Sequence, residues 1–157
     1  LIYTVITSQA NFAKLEEIRL DNLKRTGLIS GTPSTTKIAI VWMSYNVHGN
    51  EASGMEAALR TLHELVSTTR GQEYLKNTVV IMDPCINPDG RDRFSNFNNQ
   101  YINVIPNSSA DAAENNEPWP RGRANHYLFD LNRDWAWLQQ TESQARLKAY
   151  NQWMPHI

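Results

Sequence analysis

With one cysteine among 157 residues, this chain can form no internal disulfide and no Cys-rich metal cluster. Any strong metal ligands must therefore come from histidine and carboxylate side chains. Cys85 itself falls in a predicted strand and reads as a buried packing residue. An excess of charge is also missing: 15 Lys and Arg face 16 Asp and Glu, a formal net charge of -1. That balance offers no basic footprint for nucleic acid or for an anionic membrane surface. No apolar run approaches the roughly 20 residues of a membrane-spanning helix, and no basic stretch followed by an apolar one opens the chain. A soluble domain is the expectation. The start at Leu1 rather than at a methionine leaves room for a leader or preceding segment removed by processing.

What is present is a core. Hydrophobic residues make up 41% of the chain, enough for one domain of this length. Leu1 to Thr7 alternates β-branched and aromatic residues and predicts a strand. Asn11 to Lys24 carries Phe12, Leu15, Ile18 and Leu23 at helical spacing. Gly27 to Thr36 is a Gly/Pro/Ser/Thr loop, and Lys37 to Tyr45 is a nearly continuous apolar run that reads as a strand buried on both faces. Ser53 and Glu56 predict a capping box for a helix whose stripe is Met55, Ala58, Leu59, Leu62, Leu65 and Val66. Thr78 to Met82 predicts another buried strand, closed by Pro84 and Pro88. Ser95 to Pro120 is Asn-rich with little periodicity and reads as a long surface loop. Thr141 and Gln144 predict a second capping box, before a helix ending at Pro155, with His156 and Ile157 as the start of a further strand. Alternating strands and helices predict a mainly parallel sheet with helices packed on it.

Two clusters carry chemistry. His48 and Glu51 stand three apart, in Asn46-Val47-His48-Gly49-Asn50-Glu51, between a strand end and a helix start. Ligands bind at that edge of open α/β sheets. An imidazole and a carboxylate suit a first-row metal, and Gly49 permits the turn that would converge them. The plain alternative is a helix-start Glu beside a strand-end His. The second cluster is Asp130-Leu131-Asn132-Arg133-Asp134-Trp135, preceded by Gly122-Arg123-Ala124-Asn125. The planar fork of Arg133, with Asn132 beside it, suits a carboxylate. Its alternative is a surface turn with Arg133 salt-bridged to a neighbouring acid. Asn87-Pro88-Asp89-Gly90 is a turn signature in its own right.

Together and in this order, His48-Gly49-Asn50-Glu51-Ala52, Asn87-Pro88-Asp89-Gly90, Gly122-Arg123-x-Asn125 and Asp130-Leu131-Asn132-Arg133 resemble the zinc metallocarboxypeptidases over about Thr36 to Trp137. The Asn-rich loop has no counterpart in that pattern. The resemblance implies an α/β fold with a mainly parallel or mixed sheet and helices on both faces, of which residues 1–157 are the N-terminal part of one catalytic domain. It implies one zinc ion held by His48 and Glu51, with Asp130 accepting from the ring of His48. Arg123 would stabilise the oxyanion, and Asn132 and Arg133 would hold the C-terminal carboxylate of a peptide or protein substrate. The third zinc ligand and the general-base Glu are expected beyond Ile157, so the 157 residues alone are expected to be inactive. His156 is disfavoured as that ligand. His63 and His126 read as structural or exposed, and Arg121 is a runner-up to Arg123. A secreted or periplasmic location is favoured over a cytoplasmic one. Two other readings stay open: an N-acyl amino acid deacylase of the aspartoacylase type, which Asn87-Pro88-Asp89-Gly90 disfavours, and a noncatalytic carboxylate-binding domain.

Overall fold

The computed structural model describes residues 1–157. Its centre is β3 (Thr78–Asp83), flanked by β1 (Thr4–Ile6) and β2 (Ala39–Ser44) in the order β1-β3-β2. β2 runs parallel to β3, pairing Ile40 with Val79 and Ser44 with Asp83. β1 runs antiparallel, pairing Thr4 with Met82 and Ile6 with Val80. The sheet is therefore mixed, one of the two forms expected. A strand of three residues has no pattern from which its direction can be read, and its pairing is set by where the chain re-enters.

Strand alternation divides β3 between two cores. Val80 and Met82 meet Ala58, Leu65 and Leu75 from α3 (Ser53–Ser67) and α4 (Thr69–Leu75). Val79 and Ile81 point to the opposite face, against Ile18 of α2 (Leu15–Arg25) and Trp153 of α6 (Thr141–Trp153). Helices thus cover both faces, as an α/β fold requires. In α3 the buried stripe is narrower than its sequence pattern: Ala58 and Leu65 are buried, while Leu59 and Val66 are exposed. α4 packs close because Gly71 has no side chain; a Cβ there would lie 2.3 Å from the Glu64 carbonyl oxygen.

Several expected elements differ in detail. The helix expected from Asn11 to Lys24 is two, α1 (Gln9–Phe12) and α2, with Phe12 exposed. Asn11 takes the inward place, its amide donating to the carbonyls of Leu75 and Lys76 at 3.0 Å each. Neither capping box forms. Ala52 precedes α3 already in a helical conformation, and Ser53 and Thr141 occupy the first helical positions, with no side-chain cap bond. Glu56 instead pairs with Arg91. Residues 95–101, expected in the loop, are the second half of α5 (Pro88–Tyr101), which Asn87 caps through the Gly90 N–H at 2.9 Å. Cys85 lies just past β3 and is only half-buried, its thiol donating to Asn46 Oδ1 at 3.2 Å. β2 is less enclosed than a strand buried on both faces: Ile40 is fully buried and its neighbours partly so. Beside it, His156 N–H donates to the Ile40 carbonyl at 2.8 Å and Trp42 N–H to the Ile157 carbonyl at 2.7 Å. The end of the chain therefore lies along β2 without completing a regular strand.

At the last residue of β3, Asp83 is fully buried. Trp42 Nε1 donates to one of its oxygens at 3.1 Å and the other has no partner. Burial pushes this carboxyl above the usual range, against the opposing pull of Trp42 and of Arg146. A carboxyl whose pKa is raised by folding contributes stability below its unfolded value, and that contribution is lost as pH rises through the folded value. Asp83→Asn should therefore be neutral at low pH and stabilising at neutral pH, with the difference growing as pH climbs out of the ordinary carboxylate range. Urea denaturation across pH reads this. A pH-independent difference would show that Asp83 does not titrate as described. By contrast, Ile81→Ala should cost about 2–5 kcal/mol at any pH, since it empties a fully enclosed site in the central strand.

Candidate metal and substrate site

β2 and β3 continue side by side past their regular ladder. Tyr45 N–H donates to the Asp83 carbonyl at 3.0 Å, Ile86 N–H to that of Tyr45 at 3.2 Å, and Asn87 N–H to that of Asn46 at 3.2 Å. Two buried asparagines therefore stand together at the carboxyl end of the sheet, where ligands bind in such folds. Asn46 takes a left-handed backbone conformation, φ 55°, which Asn tolerates better than most residues. Its amide reaches forward to the carbonyls of His48 at 2.8 Å and Glu51 at 3.3 Å, fixing the turn that carries both. Asn87 donates to the carbonyl of Val47 at 3.3 Å and to that of Arg123 at 3.0 Å.

The contact between these segments is made by backbone. A Cβ on Gly49 would sit 2.0 Å from the Gly90 carbonyl carbon and 2.6 Å from the Gly122 carbonyl oxygen. One on Gly90 would sit 2.3 Å from that same oxygen, and one on Gly122 would sit 2.5 Å from the Gly90 oxygen. Three glycines from three separate motifs touch, so the turn 48–51, the start of α5 and the arm 121–125 approach more closely than side chains permit. Arg93 of α5 supports the arm, donating to the carbonyls of Arg121 at 3.0 Å and Asn125 at 2.6 Å and also to that of Ala124. Asn125 is fully buried and closes the loop to Phe129 by accepting from the N–H groups of Tyr127 at 3.1 Å and Phe129 at 2.9 Å.

On this platform His48 is nearly enclosed. Its Nδ1 lies 2.9 Å from Glu51 Oε1 and 3.3 Å from Arg123 Nη1. Its Nε2 lies 3.2 Å from Asp130 Oδ1. Asp130 in turn accepts from Arg123 Nε at 3.1 Å and Nη2 at 3.0 Å, and from the Asn132 N–H at 2.9 Å. Partial burial raises the Asp130 carboxyl pKa, but the Asn132 N–H, Arg123 and His48 outweigh it and hold the pKa below the usual range. Asp130 is therefore a carboxylate, and it faces the Nε2 side of the His48 ring; a proton held there would leave the Nδ1 lone pair available to a ligand. Nδ1 and the Glu51 carboxylate lie 2.9 Å apart. The donor pair fits a zinc ion in type. Among the 157 residues no group of three His, Cys, Asp or Glu is placed so that it could hold a metal ion.

The sequence Asp130-Leu131-Asn132-Arg133-Asp134 is sorted by burial. Leu131 is fully enclosed and Asp134 is buried, its two oxygens accepting from the N–H groups of Gln139 and Gln140 at 2.9 Å each. Arg146 of α6 donates to the Leu131 carbonyl at 3.2 Å and stacks 3.6 Å over the Trp135 ring. With this segment pinned from behind, Asn132 and Arg133 face outward. Arg133 forms no ion pair; its one contact is a long bond to the Asn132 carbonyl at 3.4 Å. The salt-bridged surface turn is not what forms.

The structure thus brings His48, Glu51, Arg123 and Asp130 into one connected group, with Asn132 and Arg133 at its rim. Of the remaining candidates, His156 is engaged elsewhere, its Nδ1 accepting from the Ile40 N–H at 3.1 Å. His63 lies on α3 beside Ser67, and His126 is exposed next to Asp89. Arg121 has a left-handed backbone, φ 59°, and stays exposed. The residues that pattern reading passed over are Asn46, Asn87 and Arg93. The signal for Asn87 was present, because Asn before Pro at a helix start is a capping arrangement.

Gly49→Ala tests the backbone contact: the new methyl meets main chain rather than a yielding side chain, so we expect a loss of about 3 kcal/mol of stability in urea denaturation. An unchanged midpoint would show that the three segments do not approach as described. Comparison with known proteins gives two results. No curated protein sequence matches the chain. The zinc carboxypeptidase family, in contrast, matches residues 6–153, which spans both core clusters and every residue of the site. The chain belongs to the zinc carboxypeptidase family, a family of metallopeptidases.

Proposed function

We propose that residues 1–157 are the N-terminal part of one catalytic domain whose full-length protein removes C-terminal amino acids from peptides. The observation that carries this is the orientation of His48. Its Nε2 lies against Asp130 and its Nδ1 against Glu51. A histidine serving only to pack or to bridge two acids has no need of a third group, Arg123, converging on the same nitrogen.

In this reading His48 and Glu51 hold zinc, and one further histidine from beyond Ile157 completes the three protein ligands of a catalytic site. Zinc bound there would polarise the scissile carbonyl and make water acidic enough to serve as a nucleophile near neutral pH. Asp130 keeps His48 in the ligating tautomer. Through the same carboxylate it pins Arg123 by Nε and Nη2, leaving Nη1 on the metal side to meet the negative charge that develops on the carbonyl oxygen. Asn132 and Arg133 hold the substrate's terminal carboxylate. Arg133 carries no competing ion pair that would have to be broken first. A general-base Glu from the later part of the domain takes up the proton.

Metal analysis of the full-length protein tests the ligand assignment. His48→Ala should lose stoichiometric zinc, and undiminished zinc would overturn the assignment. Kinetics separate the two arginines. Arg133→Ala should lower kcat/KM on peptides with a free C-terminus about 10- to 100-fold, chiefly through KM, and erase the preference over amidated peptides. Arg123→Ala should lower kcat about 10²- to 10³-fold with KM little changed, because its partner charge exists only in the transition state. If Arg133→Ala keeps the preference for free carboxylates, the carboxylate grip lies elsewhere, and the deacylase and noncatalytic readings return.

A further inference from the structure

The last residue of the Asn-rich loop to make a contact with the site is Glu117. Its carboxylate is half-buried and pairs with no cation. One oxygen accepts from Asn50 Nδ2 at 3.0 Å and the other accepts from the Gly122 N–H. Asn50 is the residue immediately before Glu51, and Gly122 is the residue immediately before Arg123. A single side chain therefore holds both neighbours of two site residues that come from segments about 70 positions apart in sequence. The hold is tight: a Cβ on Gly122 would lie 3.1 Å from Glu117 Oε1. Asn46 holds the same turn through other groups, the carbonyls of His48 and Glu51.

We infer that Glu117 is a positioning residue for the reaction, clasping the metal turn at Asn50 to the Arg123 arm at Gly122 and so setting the distance between Glu51 and Arg123. This rests on the functional reading above. Neither oxygen of Glu117 contacts His48, Glu51, Arg123 or Asp130, so it acts through the backbone. Without the clasp, Asn50 and the Gly122 N–H lose a charged acceptor, and the Arg123 guanidinium is no longer held in register with the metal ligands. A misplacement of about 1 Å in such a site is enough to cost about 10²-fold in rate. Ground-state binding through Arg133 does not pass through Glu117, so the loss should fall on kcat.

The test uses the full-length, zinc-saturated protein. Glu117→Ala should lower kcat about 10- to 100-fold with KM within about threefold of the parent. Glu117→Gln should recover most of this, since its oxygen still accepts from Gly122 and the Asn50 amide can turn its own oxygen toward the new NH2. Asn50→Asp sets two carboxylates against each other and should be at least as impaired as Glu117→Ala. The double variant Asn50→Asp with Glu117→Gln restores a donor–acceptor pair and should return to within about fivefold of the parent. A simple loop anchor gives no such exchange of roles. Amide hydrogen exchange at Gly122 provides a readout independent of catalysis: slow in the parent and in Glu117→Gln, at least about tenfold faster in Glu117→Ala. The inference falls if Glu117→Ala leaves kcat and Gly122 exchange at parental values, or if the double variant is no better than Asn50→Asp. A parent protein without zinc-dependent peptidase activity would instead remove the functional reading, and Gly122 exchange across the four variants would still decide whether the clasp exists.

Discussion

Everything at this site depends on three backbones meeting where no side chain fits. Gly49, Gly90 and Gly122 come from a strand-to-helix turn, a helix start and a loop arm, and each would drive a Cβ into the main chain of another. The contact fixes how far the turn 48–51 can stand from the arm that bears Arg123. It also explains why motifs separated by long stretches of chain each contain a glycine that local turn geometry alone does not demand: none of the three has a left-handed backbone conformation. Here glycine is used for proximity and not for flexibility.

Close backbones bring a second requirement, since their polar groups leave water together. Asparagine meets it repeatedly. Asn46, Asn87 and Asn125 are all buried, and each spends its amide on N–H or carbonyl groups of loops that no sheet or helix would satisfy. An amide both donates and accepts without bringing charge, so it can be enclosed at little electrostatic cost. At the centre of the site each carboxylate, Glu51 and Asp130, meets a ring nitrogen of His48, and Asp130 also meets the Arg123 guanidinium.

Much of this was legible in the sequence, and the parts that were not share a cause. The apolar runs of β2 and β3 revealed a sheet with helices packed on it, and the motifs that carry His48, Glu51, Arg123, Asp130, Asn132 and Arg133 stood in the order that pointed to the family. Elements whose position is decided by distant partners were illegible. The direction of β1 follows from its pairing with Met82 and Val80. α5 was not read as a helix, its start passing for a turn and its part from Ser95 for an Asn-rich loop without periodicity, yet its capped start and the packing of Phe97 carry it through to Tyr101. Glu56 belonged to Arg91 across the fold, which no local spacing could reveal.

The loop after α5 holds its own shape. Glu114 accepts from the N–H groups of Asn103 at 2.9 Å and of Asn107, while Asn115 and Asn116 close on the carbonyls of Asn107 at 2.8 Å, Ser109 at 2.7 Å, Ala110 at 2.6 Å and Ala112 at 2.9 Å. Those bonds stay within the segment and draw nothing from the sheet or from the helices. Such a stretch behaves as an insert with one fixed outlet: its interior can lengthen, shorten or change composition among descendants of this chain, provided Glu117 returns to the same spot.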